Sequence, residues 1–102
     1  MRITVTARHC EIDEALRERA VELIEKIAKL VRHSRRAEVV FDNDHKRKVV
    51  EFQLYVSRDG LHVSTAEADD FRSALDRAAE KLRNQLDKLE TPASRRTTVG
   101  QE

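Results

Sequence analysis

Two places in the chain bring a histidine close to a nucleophile, a pairing that many enzymes use for covalent catalysis. His9 is followed directly by Cys10, and His62 precedes Ser64 by two positions. Because successive side chains of a strand point to opposite faces, His9 and Cys10 diverge if their strand continues through them. His62 and Ser64 share a face, but no third group that would orient the histidine is evident. The sequence therefore predicts no catalytic nucleophile.

Carboxylate, glycine and metal-ligand patterns give no signal of an enzyme either. Asp69-Asp70 precedes a helical repeat, so it is better explained as a helix start than as a pair of catalytic carboxylates. The chain has two glycines, too few for a loop that cradles phosphate. Paired metal-ligand spacing is absent from the remaining candidates, which are His9, Cys10, His33, His45 and His62. We predict that the protein is not an enzyme and uses no metal or cofactor.

Charge is abundant in this chain but nearly balanced. Charged residues make up 38% of the 102 residues, against an ordinary level of about 25%, yet the net charge is +1. A nucleic-acid partner would therefore depend on how the charges are sorted in space. Cys10 is the single cysteine, which is typical of a reducing compartment. With no signal peptide and no apolar run of membrane-spanning length, we expect one soluble, cytoplasmic domain that contacts no membrane.

The first half of the chain combines a strand pattern with a helix pattern. Residues 2–8 alternate between apolar and polar types, as in a half-buried strand. Asp13 is a good N-cap for the helix that follows. The apolar positions of this helix recur at helical spacing, and they are Leu16, Ala20, Leu23, Ile24, Ile27, Leu30 and Val31. The helix is predicted to end within the basic segment 32–36.

Three strands and a second helix follow. The alternating runs are 37–42, 50–57 and 61–66, with a polar connection at 43–48 and a two-residue hairpin turn at Asp59-Gly60. Asp69 or Asp70 caps a helix to about Leu89. The order β-α-β-β-β-α predicts an α+β fold, a four-stranded mixed sheet with two helices packed on one face. We expect one domain over residues 1–90 and a disordered C-terminal tail over residues 91–102.

The last helix sorts its side chains into stripes when residues are placed 100° apart. Its core stripe is Phe71, Leu75, Ala78, Leu82, Leu86 and Leu89; a second stripe is Arg77, Lys81, Asn84 and Lys88. A row of cations one turn apart can follow a phosphate backbone. However, acidic residues lie on a third stripe beside it. Taken alone, the helix is more typical of a solvated surface than of an RNA contact.

A resemblance to a known family favours an RNA contact over a solvated surface for this helix. The relevant residues are Ala15-Leu16-Arg17, Glu25-Lys26-Ile27, Leu61-His62-Val63-Ser64, Glu67-x-x-Asp70-Phe71-x-x-Ala74-Leu75-Asp76, and Lys81-Leu82-x-x-Gln85-Leu86-x-Lys88. From residue 1 to about 89 the chain resembles the ribosome hibernation-promoting factors and the related ribosome-associated inhibitor. The element order derived above is also the order of that family.

The resemblance implies a translation-silencing protein of the stress response. Such factors bind the small ribosomal subunit over the region that messenger RNA and the transfer RNAs in the A and P sites occupy. The matching basic positions would contact ribosomal RNA, and they are Arg17, Lys26, Lys29, Lys81 and Lys88. We add Arg77, which shares the stripe of Lys81, and Arg83.

The chain departs from the family pattern in the second helix and in one turn. Family members usually read Lys-Leu-x-Arg-Gln-Leu, whereas this chain reads Lys81-Leu82-Arg83-Asn84-Gln85-Leu86. The arginine has moved by one position, about 100° around the helix, so Arg83 is expected to replace the charge that Asn84 lacks. The turn His45-Lys46-Arg47-Lys48 is unusually basic, and both an RNA contact and a solvated turn fit it.

The chain resembles the short form of the family, which lacks a second, dimerising domain. Short forms either help a ribosome modulation factor to pair ribosomes or oppose that pairing, and the tail 91–102 fits both. We expect a protein that is a monomer when free.

Two other classes of binding protein are alternatives to a ribosome-binding factor. Double-stranded-RNA-binding modules share the meander and final helix but place lysines at its start, where this chain has Glu67-Ala68-Asp69-Asp70. A protein–protein module predicts binding with little salt dependence, in contrast to phosphate contacts.

Overall fold

The computed structural model describes residues 1–58 and 60–90, and it has the predicted element order. The elements are β1 (Arg2–Arg8), α1 (Glu14–Ala28), β2 (Ser34–Asp44), β3 (Arg47–Val56), β4 (Gly60–Ala68) and α2 (Phe71–Glu90). The four strands form one sheet in the order β1-β2-β3-β4. β1 and β2 are parallel, and the other two pairs are antiparallel. The α+β fold predicted from the sequence is confirmed. The tail predicted over residues 91–102 lies outside the described residues.

Both helices cover the same face of the sheet, because the apolar side chains of the strands alternate onto that face. In register, Val5 faces Val39, Val39 faces Phe52, and Phe52 faces Ser64. The helices supply the other side of the core, chiefly Ala20, Ile24, Ile27, Leu75, Ala78, Leu82 and Leu86, all fully buried. The opposite face of the sheet is mostly polar and carries no helix formed by residues 1–58 or 60–90, and we call it the open face.

Aspartates begin both helices. The Asp13 carboxylate accepts the N–H of Leu16 at 2.8 Å, and the Asp70 carboxylate accepts the N–H of Ser73 at 2.7 Å. Each bond satisfies one of the N–H groups that a first turn leaves unpaired. Of the two aspartates considered for the second helix, Asp70 is the cap.

The first helix is shorter than its apolar spacing predicts. It ends at Ala28, and Leu30 N–H donates to the Ile27 carbonyl at 2.9 Å in a tighter, three-residue turn. This tightening changes the angle between successive side chains, so Leu30 is exposed whereas Val31 is buried. The prediction that Leu30 belongs to the core stripe is therefore wrong.

β2 and β3 extend into the segment 43–48, which was predicted to be a polar connection, so the turn between them is shorter than predicted. Asn43 pairs with Lys48 and Asp44 with Arg47, which leaves a two-residue turn, His45-Lys46. Both turn residues have positive φ, 49° and 70°. This is the pattern of a type I′ turn, which matches the twist of the flanking strands. No sequence signal marks this turn, because neither residue is Gly or Asn.

The next turn also differs from its prediction. Val56 pairs with Gly60, so Gly60 is the first residue of β4 and residues 57–59 form the connection. Gly60 has φ +85°, a conformation that glycine adopts without steric cost. Arg58 has φ 82°, although its side chain makes this conformation unfavourable. Asp59 lies outside the described residues.

Candidate nucleic-acid interface

An ion pair between Arg19 and Asp76 links the two helices. The Arg19 Nη2 and Nε atoms lie 2.9 Å and 3.1 Å from Oδ1 of Asp76. Both helices run in the same direction, opposite to β1, β2 and β4. Seven residues, or about two turns, beyond this pair, helical geometry brings Lys26 of α1 level with Arg83 of α2.

Four of the seven predicted RNA-binding residues gather toward the C-terminal ends of the helices. They are Lys26, Lys29, Arg83 and Lys88, all exposed, and we call them the helix-end cations. Lys29 lies in a shallow groove with Met1, Ile3 and Ser34, where β1 and β2 begin. Within the described part of the chain, none of the four cationic side chains makes a hydrogen bond or an ion pair. Their charges therefore remain available to an anionic partner.

Two other predicted residues, Arg77 and Lys81, contact the free edge of the sheet instead. Arg77 Nη1 donates to the Glu67 carbonyl at 3.0 Å, and Lys81 Nζ donates to the Thr65 carbonyl at 2.8 Å. One turn further, Gln85 Nε2 donates to the Val63 carbonyl at 2.9 Å. We call these three bonds the edge ladder.

The edge ladder depends on a match between two repeats. Four residues of a helix rise about 6 Å, and two residues of a strand rise about 6.6–6.8 Å, so side chains four apart can follow carbonyls two apart. β4 is an edge strand whose outward carbonyls would otherwise be open to another strand. Arg77 and Lys81 therefore have a structural role, and only their remaining N–H donors are available to RNA.

Arg17 makes a related contact on the other edge of the sheet. Its Nη1 lies 3.4 Å from the carbonyl oxygen of Val5 in β1, at the long limit of a hydrogen bond. The side chain is half-buried. The structure thus separates the seven candidates into four exposed helix-end cations and three residues at the sheet edges.

The basic turn after β2 is partly occupied by contacts within the fold. Arg47 forms ion pairs with Glu67 at 3.1 Å and with Asp69 at 2.8 Å. Lys48 Nζ lies 5.5 Å from the ring centroid of Phe71. His45 and Lys46 are exposed at the tip of the hairpin. This turn lies at the end of the sheet remote from the helix-end cations.

The histidine–nucleophile pairs do not form catalytic dyads. Ser64 and His62 lie on the same face of β4, but the Ser64 hydroxyl donates to the Ala78 carbonyl at 2.8 Å in the core. Cys10 Sγ lies 3.6 Å from the Phe41 carbonyl, and burial raises the pKa of its thiol. His9 Nδ1 lies 3.0 Å from Asp42, and this hydrogen bond lowers the pKa of that carboxyl. Ser64, Cys10 and His9 therefore each contact a different partner, and the buried His62 Nε2 has no hydrogen-bond partner among the described residues.

A metal site and a membrane-spanning helix are both absent from the described residues. Over residues 1–58 and 60–90, no three His, Cys, Asp or Glu side chains meet as a metal site. No helix in this part of the chain is long and apolar enough to cross a membrane.

Known proteins similar to this chain point to the ribosome. The family model described as sigma 54 modulation protein / S30EA ribosomal protein matches residues 3–92. No curated protein matches the chain. The N-terminal domain of Protein Y from Thermus thermophilus is 25% identical with a TM-score of 0.75, and the match covers 87% of this chain and 99% of that domain. A ribosomal subunit interface protein from Coxiella burnetii is 25% identical with a TM-score of 0.72, and the match covers 89% of this chain and 99% of that one.

These similarities agree with the sequence resemblance to the ribosome hibernation-promoting factors, and they confirm it. The match to the family model extends over both helices and all four strands. The chain therefore belongs to the sigma 54 modulation protein / S30EA ribosomal protein family.

Proposed function

We propose that this protein binds the small ribosomal subunit in the cytoplasm, over the region used by messenger RNA and by A-site and P-site transfer RNA. By occupying that region it inhibits translation without carrying out a chemical reaction. The observation that carries the proposal is the group of exposed helix-end cations, Lys26, Lys29, Arg83 and Lys88, in a member of a ribosome-associated family.

The charge distribution supports an RNA partner despite the net charge of +1. The helix-end cations have no carboxylate partner in the described residues, whereas Arg47 and Arg19, toward the other end, are paired with acids. Contacts with phosphate release counterions, so affinity falls steeply as salt rises. If the four cations contact phosphate, affinity should fall about 50- to 150-fold between 50 and 200 mM salt.

Duplex RNA alone is a poorer fit to this surface. The start of α2 would have to present cations to a duplex. Here Asp70 caps the helix, and Asp69 is held by Arg47. A gel shift with naked duplex RNA separates the two partners, because our proposal expects weak binding there and strong binding to ribosomes.

Sucrose-gradient sedimentation with purified small subunits and with whole ribosomes tests the proposal. We expect the protein to move with the small-subunit peak at low salt and to leave it as salt rises. A translation reaction in vitro should slow in proportion to the bound fraction. The same gradient shows whether paired ribosomes accumulate, with and without a ribosome modulation factor. Absence of the protein from every ribosomal peak would contradict the proposal.

A further inference from the structure

A second basic surface lies on the open face of the sheet, away from the edge ladder. Arg2 of β1 is in register with Arg36 of β2, and Arg36 is in register with Tyr55 of β3. Arg35 and Arg58 join them along one shallow groove that Tyr55 also lines. We call Arg2, Arg35, Arg36 and Arg58 the arginine cluster. All four side chains are exposed.

Two irregularities of the backbone assemble this cluster. Ser34 pairs with Val56 and Arg36 with Tyr55, so Arg35 is an extra residue in β2 and forms a β-bulge. A bulge redirects side chains locally, and here Arg35 and Arg36 line the same groove although they are adjacent in sequence. Arg58 lies in the β3–β4 connection with φ 82°, a conformation that is unfavourable for a residue with a side chain.

The groove of the cluster is lined by four arginines and by no carboxylate among the described residues. Like charges that face each other across strands destabilise a sheet, which applies to Arg2 and Arg36. No carboxylate among residues 1–58 and 60–90 forms an ion pair with any of the four arginines. Glu38, which lies beside Arg2 and Arg36 on the open face and accepts a hydrogen bond from the Thr6 hydroxyl at 2.8 Å, offers one negative charge against the four positive charges of the cluster. An external anion would relieve this repulsion.

The cluster also contains a flat, stacked pair. The Arg36 Cζ atom lies 4.3 Å from the ring centroid of Tyr55. The outer side of a guanidinium plane is a surface on which an RNA base can stack, as on an aromatic ring. Such stacking needs a base that is not already paired and stacked in a duplex.

We propose that the arginine cluster binds a single-stranded segment of RNA. Phosphates of the segment contact Arg2, Arg35 and Arg58, and one base stacks on the Arg36–Tyr55 pair. This inference extends the proposed function with a second RNA contact. The two surfaces adjoin, because the helices end at the end of the sheet where β1 and β2 begin.

Tyr55 provides a specific signal for the test. It is the only tyrosine, and the chain has no tryptophan, so the intrinsic fluorescence of the protein reports this site alone. We would titrate the full chain at low salt with an eight-nucleotide oligouridylate, reading tyrosine quenching and, with a labelled oligonucleotide, anisotropy. Saturable quenching with the same midpoint as the anisotropy is expected.

Matched variants distinguish the loss of the arginine cluster from the loss of positive charge elsewhere on the protein. The cluster variant carries Arg35→Gln, Arg36→Gln and Arg58→Gln; the control variant carries Arg8→Gln, Lys46→Gln and Arg72→Gln, which removes equal charge at the other end of the molecule. Circular dichroism confirms that both fold. We expect the cluster variant to lose affinity at least tenfold and the control variant to stay within about twofold of the unmodified chain.

Three results would overturn the inference. They are an absence of saturable quenching, an equal loss of affinity in both variants, and inorganic polyphosphate that competes equally well and quenches Tyr55 to the same extent. Failure of the proposed function is seen separately, as a chain that binds no ribosome in a gradient whatever the oligonucleotide does.

Discussion

Lys81 Nζ lies 2.8 Å from the carbonyl oxygen of Thr65, so a lysine predicted to contact RNA is also part of the edge of the sheet. With Arg77 and Gln85, Lys81 occupies three successive outward carbonyls of β4. An unprotected edge strand is a template for pairing with another chain. The exposed side chains of Leu61 and Val63 on the same strand add to that hazard.

The edge ladder predicts that its removal promotes self-association. Replacing Arg77, Lys81 and Gln85 together with Ala should lower the free energy of unfolding by about 1–2 kcal/mol, since the three bonds are solvent-exposed. The variant should also form concentration-dependent dimers or larger species in analytical ultracentrifugation. The control, with Arg83, Asn84 and Lys88 changed to Ala, should remain as monomeric as the unmodified chain. Equal behaviour of the two variants would contradict the role of the edge ladder.

The His45-Lys46 turn predicts a stabilising double substitution. Both residues hold positive φ, which favours Asn and Gly. His45→Asn with Lys46→Gly should raise the free energy of unfolding by roughly 1 kcal/mol, measured from urea midpoints. His45→Ala with Lys46→Ala removes the same side chains without relieving the backbone and should give no gain. A lower midpoint for the first variant would show that the turn is not under this constraint.

The Asp70 cap predicts a specific loss of stability in acid. Hydrogen bonds from the Ser73 N–H and hydroxyl hold the pKa of the Asp70 carboxyl below its ordinary value of 3.8. A lowered carboxyl pKa contributes stability that is present above the ordinary value and lost as pH falls through the folded value. Asp70→Asn keeps a capping acceptor but does not titrate.

We therefore expect the stability advantage of the unmodified chain over Asp70→Asn to shrink between neutral pH and about pH 2.5. Thermal unfolding of both proteins across this range measures the difference. Parallel stability curves would show that the ionised form of Asp70 is not preferred by the folded state.

Cys10 is predicted to be a slow nucleophile in the folded protein. Burial is the main cause that raises the pKa of its thiol, and the Asp42 carboxylate acts in the same direction. Because the thiolate is the reactive form, iodoacetamide should alkylate the native protein at least about fivefold more slowly than the urea-unfolded chain at neutral pH. Mass spectrometry over time measures both rates. Equal rates would mean that the fold does not protect Cys10.

Local patterns in the sequence were sufficient to predict most of the fold. The strand that alternates from Val50 to Val56 and the helix cap at Asp13 each depend on a few neighbouring residues. The structure has both where they were predicted. The His45-Lys46 turn was missed because the surrounding hairpin, and not the residue types, imposes its positive φ.

The surfaces could be predicted only in part. The exposure of Lys26 and Lys29 follows from the helical repeat. The contacts of Arg77 and Lys81 with β4 could not be predicted from the sequence, because they depend on which strand lies at the edge of the sheet. The arginine cluster depends on a bulge and on the register of three strands, neither of which leaves a sequence signal.

Co-sedimentation of helix-end variants with small ribosomal subunits tests the central claim most directly. Lys26→Glu, Lys29→Glu and Lys88→Glu remove exposed charges without touching the edge ladder. The matched control changes Arg8, Lys46 and Arg72 to Glu, at the other end of the molecule.

We expect the first variant to fold normally and to lose co-sedimentation at least tenfold, because three phosphate contacts are lost and three repulsive charges are added. The control should co-sediment within about twofold of the unmodified chain. A folded helix-end variant that co-sediments as well as the control would contradict the claim that these lysines hold the protein on ribosomal RNA.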